Sequence, residues 1–477
     1  MIGRQEIMEL SREFSLRPNV VEKDYALGWL LFGIGQHPEL KDKWIFKGGT
    51  CLKKCYFETY RFSEDLDFTL QDPAHLDEPF LIRVFKEVGE RVYERSGLEL
   101  HPETFRFEAF QNPRGKTAVQ GRVGYRGPIA PGGELPRIKL DLTNDEQVVL
   151  KPIRRPVHHG YSDAPQEGMD VLCYPFVEIF AEKMRALAER ERPRDLYDVI
   201  HLYRHTEMRP DRESVHRVLE EKCRFKGIAF PTLRSLEQKE PQRTELQTEW
   251  ANMLAHQLPA LPPFEEFWNE LSHVFDWLAG AAVPVLERIQ PELGQEPEDT
   301  QWVPPAMAHA WGKRVPLEVI RFAGANHLCV NLGYDGTQRI IEPYSLRRTQ
   351  AGSILLHAIR VDNRKHRSYN VDKIESAEVL QKSFTPIYTV ELTPAGPLHT
   401  PPQTRSGTSS PFGKGIRGFS TRKSMGGVAG PKYVVQCTLC GKRFTKATMD
   451  TSLRPHKSKG GYPCSGGYGQ YVETKWG

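Results

Sequence analysis

The sequence predicts an α+β protein: a mixed sheet with a helical extension, then a small β-barrel, a disordered linker and a metal-stapled module. Three observations predict this. Helical and strand periods interleave up to about residue 175, and a mainly helical pattern follows from Val177 to about Phe275. Short alternating runs bounded by turn residues crowd residues 315–391. Cys437, Cys440, His456 and Cys464 close the chain at metal-ligand spacing.

A chain of 477 residues exceeds one compact domain. The pattern divides it at 1–175, 176–290, a linker at 291–312, 313–391, a basic linker at 392–432, and 433–477. There is no secretory signal pattern and no apolar run long enough to span a bilayer, so a cytoplasmic protein without membrane contact is expected. From Leu392 onward there are 13 Lys and Arg against 2 acidic residues, a basic tail on a mildly acidic body. Such tails meet nucleic acid, or serve as solvated linkers.

In chain order, Pro18 suits the first turn of a helix that continues through Leu27, Leu30 and Leu31. A glycine turn at Gly48-Gly49 precedes a short helix over Leu52–Phe57 and a strand over Leu66–Leu70. Leu81, Val84, Phe85 and Val88 mark a helix over Phe80–Ser96. Strands are expected near Phe105–Phe110 and at Arg137–Leu142. In the helical extension, Phe264, Phe267, Trp268, Leu271, Phe275 and Leu278 form a core stripe. Six short strands are then expected: Leu317–Phe322, Leu328–Leu332, Gln338–Ile341, Ile354–Val361, Arg367–Val371 and Ile374–Leu380. Residues 392–432 hold no acidic side chain and too little apolar surface to fold alone.

The chemistry concentrates early. On a strand, Asp65 and Asp67 point one way and Leu66 the other. Two adjacent carboxylates repel unless a cation lies between them, and Mg²⁺ (or Mn²⁺) shared with substrate phosphates suits that site. Gly48 and Gly49 let backbone N–H groups approach an anion. Asp141, flanked by Leu140 and Leu142, joins the site if its strand lies beside Leu66–Leu70; otherwise it faces solvent. A third carboxylate there would accept the nucleophile's proton.

Lys47-Gly48-Gly49-Thr50 with Lys53, then Arg61-Phe62-Ser63-Glu64-Asp65-Leu66-Asp67, resembles the first motif of the AbiEii/AbiGii-type nucleotidyltransferase toxins, within the DNA polymerase beta-like superfamily. Ile179–Leu187 and Arg192-Pro193-Arg194-Asp195-Leu196-Tyr197-Asp198 resemble the later motifs, and Val21–Tyr25 the N-terminal helix. The resemblance covers roughly residues 10–280. It implies a mixed-sheet nucleotidyltransferase core with the helical extension completing the site. It implies Mg²⁺ on Asp65 and Asp67, an NTP cradle from Lys47, Gly48, Gly49, Thr50, Lys53 and Ser63, and Lys183 on phosphate or developing charge. It assigns activity to the motif holding Asp195 and Asp198; Asp141 matches the superfamily pattern alone. It also implies a toxin–antitoxin or abortive-infection setting in phage defence, a cognate antitoxin, and tRNA, another RNA or a protein hydroxyl as acceptor. Two other readings stand beside these: Arg194, Asp195 and Asp198 as a structural ion cluster, and the chain as a non-enzymatic nucleic-acid-binding regulator with a retained transferase fold.

Ile340–Tyr344, Ile354–Ala358 and Arg367–Ile374 resemble a WYL domain, a small regulatory β-barrel, although Ile354-Leu355-Leu356 stands near the place of its signature tripeptide. In the tail, Cys437-X-X-Cys440 followed by His456 and Cys464 offers four ligands for Zn²⁺; a redox Cys-X-X-Cys would not need the last two. Lys442, Arg443, Lys446 and Arg454, with Tyr462, Tyr468, Tyr471 and Trp476, suit nucleic-acid contact.

Overall fold

In the computed structural model the described residues are 1–392, apart from 58–59, 113, 130–132, 191, 206–208, 240–241, 283–285, 291–296 and 300–316. In the tail they are 432–437, 442–446, 453, 456–457, 463–464 and 469–475. The expected linker at 392–432, apart from its two end residues, and most of that at 291–312, lies outside them. The chain forms two compact units, Met1–Thr404 and Arg405–Gly477.

The first unit begins with α1 (Arg4–Glu13) and α2 (Pro18–Gln36), the latter opened by Pro18 in its first turn. β1 (Trp44–Lys47) runs directly into α3 (Gly48–Cys51) and a π-turn over Leu52–Tyr56. β2 (Asp65–Leu70) follows, then α4 (Glu78–Ser96). Asp77 caps α4 by accepting from Phe80 N at 3.1 Å, and Gly97 ends it at φ +73°. The strands β3 (Glu99–Leu100), β4 (Arg106–Gln111), β5 (Thr117–Arg126), β6 (Arg137–Thr143), β7 (Ile153–Pro156) and β8 (Asp170–Cys173) complete an eight-stranded mixed sheet. Its order is β3-β5-β6-β2-β1-β8-β7, with β4 on the flank of β5. Leu66, Phe68, Leu140 and Leu142 face the core, which leaves the alternate residues of β2 and β6 on the other face.

Six helices follow: α5 (Phe176–Arg190), α6 (Pro193–Arg204), α7 (Arg212–Lys226), α8 (Leu233–Glu237), α9 (Gln242–Leu254) and α10 (Phe264–Ala279). The apolar stripe of α10 is buried as its spacing predicts, through Phe264, Phe267, Trp268, Leu271 and Leu278. The next element corrects the sequence reading. Leu317–Ala325 is a helix, α11, where a strand over Leu317–Phe322 is expected. Both faces are apolar, so the pattern fits either period, and the Glu318–Arg321 ion pair at 2.7 Å, three residues apart, closes a helical turn.

β9 (Leu328–Tyr334), β10 (Thr337–Arg348), β11 (Ile354–Arg360), β12 (His366–Asn370) and β13 (Ile374–Ser383) then form an antiparallel sheet in the order β12-β11-β10-β9-β13. Among the described residues no pairing joins β12 to β13. This sheet is not walled off from what precedes it. Leu317, Ile320, Leu328, Val330 and Leu392 belong to the same buried apolar cluster as the mixed sheet.

Glu13 stands where α1 meets α11. Burial, with Glu318 close by, pushes its carboxyl up to about 7, and its Oε1 is buried with no hydrogen-bond partner among the described residues. An acid held above its unfolded value binds more protons when folded, so its contribution to stability is lost as pH rises from 4.5 toward 7. Glu13→Gln is expected to stabilise the protein at pH 8 by roughly 1–2 kcal/mol, allowing for partial exposure, and to have little effect at pH 4. Urea unfolding at the two pH values measures it.

The second unit carries β14 (Lys432–Cys437), β15 (Arg443–Lys446), β16 (His456–Lys457), β17 (Pro463–Cys464) and β18 (Gly469–Lys475). A three-stranded sheet β15-β14-β18 stands beside the β16–β17 pair, around a small core of Val435, Cys437 and Leu453.

Candidate active site

The site is a row of polar side chains across four strands. β2 and β6 are parallel and in register, with Asp67 level with Asp141 and Asp65 level with Lys139. On one side Lys47 of β1 aligns with Asp67; on the other Gln120 of β5 aligns with Asp141. Level residues of neighbouring strands share a face, so Lys47, Asp67, Asp141 and Gln120 run side by side, with Asp65 one pleat along. The condition placed on Asp141 by the sequence, a strand beside β2, is met.

Electrostatics mark this row. Burial, then the charges of Asp141 and Asp65, push the Asp67 carboxyl up to about 6, against the pull of Lys47 and Lys183. Burial also raises Asp65, with Lys139 opposing and Asp141 adding to the shift. Lys139 Nζ donates to Asp141 Oδ2 at 2.7 Å, drawing that carboxylate aside, so the three acids do not close into one tight ligand group. Oxygen donors that repel one another in this way fit a hard divalent cation.

Gly48 is needed on two counts. Its φ is +80°, and a Cβ there would lie 2.2 Å from Asp67 Oδ2. At Gly49 an added Cβ would meet Arg61 Nη2 at 2.4 Å. Thr50 Oγ1 donates to Asp65 O at 2.5 Å, tying the start of α3 to β2. Lys47 is buried between Glu182, at 3.1 Å, and Glu146, at 3.5 Å. Burial disfavours its charge, but those two carboxylates outweigh it and hold its pKa above the ordinary lysine value. Ser63 lies partly exposed in the segment entering β2. Lys53 is set apart from this row: its Nζ is 4.6 Å from the centre of the Phe62 ring, and it lines a cavity with Asp24, Tyr60 and His158. Gly48→Ala is expected to cut nucleotidyl transfer at least tenfold while costing about 1 kcal/mol of stability. A steady-state assay beside a thermal melt separates the two effects.

Behind the row lies a buried ion cluster. Lys183 of α5 contacts Asp198 Oδ2 at 2.7 Å and Asp195 Oδ1 at 3.3 Å. Arg61 forks onto Asp198, Nε to Oδ1 at 2.7 Å and Nη2 to Oδ2 at 2.8 Å, and Tyr60 also donates to Asp198. Arg190 forks onto Asp195 at 2.8 and 3.0 Å. Burial works to raise the Asp198 carboxyl, but Arg61 and Lys183 overcome it and hold it well below the usual range. Asp195 and Asp198 are thus filled by cations of the chain itself, while Lys183 carries positive charge toward Asp67. Neither the Arg61–Asp198 fork, 137 residues apart, nor Glu146 beside Lys47 has a local sequence signal. Arg194 is partly buried near Arg61, Asp65 and Glu64, and its Nε has no hydrogen-bond partner among the described residues.

In the tail, the ligand atoms of Cys437, His456 and Cys464 all lie within 4.8 Å of one another. β16 and β17 pair His456 with Cys464, and the two sulfurs are 3.8 Å apart. Cys440 lies outside the described residues.

A mixed sheet presenting paired carboxylates beside a glycine bend defines a nucleotidyl-transfer enzyme. Residues 29–279, just over half of the chain, match the family described as nucleotidyl transferase AbiEii toxin, type IV toxin–antitoxin system. The chain belongs to this family. It is a nucleotidyltransferase that draws on an NTP, and as the toxin type of such a system it implies an antitoxin partner. This assignment sets aside the non-enzymatic regulator. Among solved structures, MenT4, a nucleotidyltransferase toxin from Mycobacterium tuberculosis H37Rv, is similar at 19% identity and a TM-score of 0.39, over 59% of this chain and 91% of that one. That likeness is too distant to bear on function. No curated protein matches the chain. No helix among the described residues is long and apolar enough to cross a membrane.

Proposed function

We propose that the chain moves a nucleoside monophosphate from an NTP to the hydroxyl of an RNA acceptor, with tRNA the first candidate. The observation that carries this is the level alignment of Lys47, Asp67 and Asp141 beside Gly48. Asp65 and Asp67 would hold Mg²⁺ or Mn²⁺, which when bound supplies charge stabilisation at the transferring phosphoryl group. Gly48 and Gly49 offer backbone N–H groups to the triphosphate, with Thr50 fixing their position and Ser63 at the edge. Asp141 accepts the acceptor's proton as its oxygen attacks the α-phosphorus, and pyrophosphate leaves. Lys183 meets the charge that develops on the equatorial oxygens. Asp195 and Asp198 act by fixing the position of Lys183 rather than by touching substrate. The setting is a phage-defence toxin–antitoxin pair, in which the antitoxin limits this activity.

The tail serves as an RNA-gripping module stapled by Zn²⁺ on Cys437, Cys440, His456 and Cys464. The WYL-like sheet at 313–391 serves as a regulatory element. Among the described residues the tail's buried core is Val435, Cys437 and Leu453, and metal binding supplies much of the module's folding energy. Removing zinc with a strong chelator is expected to abolish amide-exchange protection in β14–β18 and to leave the β9–β13 sheet unchanged. Protection that persists in β14–β18 contradicts the staple.

Incubating the protein with each α-labelled NTP and total RNA, then sequencing the labelled RNA, tests the acceptor. Label on a discrete RNA 3′ end is expected. Label on protein alone would overturn the RNA reading and leave the transferase in place.

A further inference from the structure

Three cysteines that play no part in the transfer site meet behind it. Cys51 ends α3, Cys55 lies in the π-turn, and Cys173 ends β8, level with Phe46 of β1. Their sulfurs all lie within 4.8 Å of one another, and all three residues are fully buried. The π-turn helps to build the cluster: such widened turns recur at functional sites, and residues 51 and 55, four apart, face the same way.

The surroundings are those of a charged group. Arg155 Nε donates to Cys55 O at 2.8 Å, and its guanidinium lies over the Tyr56 ring, 4.3 Å from the centroid. Its Nη2 is buried and has no hydrogen-bond partner among the described residues. Tyr56 Oη donates to Tyr174 O at 2.6 Å and lies 3.9 Å from Cys173 Sγ. Cysteine in a plain core behaves as a small apolar residue. Such a filling would leave this arginine facing uncharged groups among the described residues.

We propose that Cys51, Cys55 and Cys173 form a buried site for a thiophilic cation, zinc(II) or copper(I). Metal–sulfur bonds of about 2.3 Å place the sulfurs of such a set about 4 Å apart, so the cluster closes by less than about 1 Å. The three thiols give up their protons to solvent on binding. Three thiolates around a divalent ion leave one negative charge, which the Arg155 guanidinium balances. The bound ion ties α3, and with it Gly48 and Gly49, to β8. The site is independent of the tail cysteines and of the transferase reading.

The test uses the full chain carrying Cys437→Ser, Cys440→Ser and Cys464→Ser, which removes the tail thiolates. Purified from cells, this protein is expected to hold one equivalent of zinc or copper by elemental analysis, and the element found decides between the two. Refolded with cadmium(II), it is expected to show thiolate-to-metal charge-transfer absorbance. Adding Cys51→Ala and Cys173→Ala is expected to abolish both signals. Those two changes open space in the core, so Cys55→Ala alone is the second variant; it is expected to keep the native circular dichroism and weaken cadmium binding at least tenfold. A parent protein that holds no metal and shows no absorbance with cadmium overturns the proposal. So does a signal that survives in well-folded Cys55→Ala and in the variant carrying Cys51→Ala and Cys173→Ala.

Discussion

Asp67→Asn is expected to reduce nucleotidyl transfer by at least about a thousandfold, roughly 4 kcal/mol of transition-state stabilisation, and at the same time to raise the melting temperature of the protein without added divalent metal. The two effects have one cause. Asp67 sits half-buried between Lys47 and Asp141 with Asp65 one pleat along, and its carboxyl is pushed up to about 6. An acid held above its unfolded value makes the folded state less stable at every pH above that value, here by up to about 3 kcal/mol at pH 7. Asparagine keeps the shape and removes the charge. Mg²⁺ should therefore stabilise the wild type more than the variant, because in the wild type the cation offsets a repulsion that the variant lacks. A merely structural aspartate gives the opposite pattern: its loss lowers the melting temperature, and the response to Mg²⁺ does not change. Melts with and without Mg²⁺, beside the transfer assay, separate the cases.

Asp198→Ala is expected to cost about 3–5 kcal/mol of stability and to abolish transfer as well. Asp198 is fully buried and receives Arg61, Lys183 and Tyr60. Removing it leaves two buried cations, of which only Lys183 keeps another carboxylate, Asp195, at 3.3 Å. A buried charge without its partner costs far more than the intact pair contributes. Asp198→Asn keeps an oxygen to accept from Arg61 and should lose less stability than alanine. If Asp198 instead touched substrate, asparagine would lose transfer with no cost in stability. Urea unfolding of both variants measures the difference.

The sheet side of the site was legible because strand chemistry is local. Asp65-Leu66-Asp67 and Leu140-Asp141-Leu142 each state which residue faces the core, and Gly48 signals its own backbone requirement. The pairing of β2 with β6 was legible only as a condition, since nothing in either segment names its neighbour. The ion cluster was half legible. Asp195 and Asp198 stood out in a motif, but the residues that fill them, Arg61 and Arg190, depend on how α5 and α6 pack against the segment before β2. Lys53 was misplaced for a related reason: it follows the glycine bend in sequence, but the π-turn carries it toward Phe62 and Asp24. The helix α11 was missed because a segment buried all round has no face to give a period, and its ion pair spaced at three residues was the one local sign.

The proposed reaction requires this row of carboxylates to transfer the α-phosphoryl end of an NTP. Parallel reactions of the wild-type protein with α-labelled and γ-labelled NTP, Mg²⁺ and total RNA test it directly. Label is expected on RNA from the α position alone, with pyrophosphate released in equal amount and neither product formed by Asp67→Asn. Transfer of the γ label, or undiminished α transfer by Asp67→Asn, would contradict it.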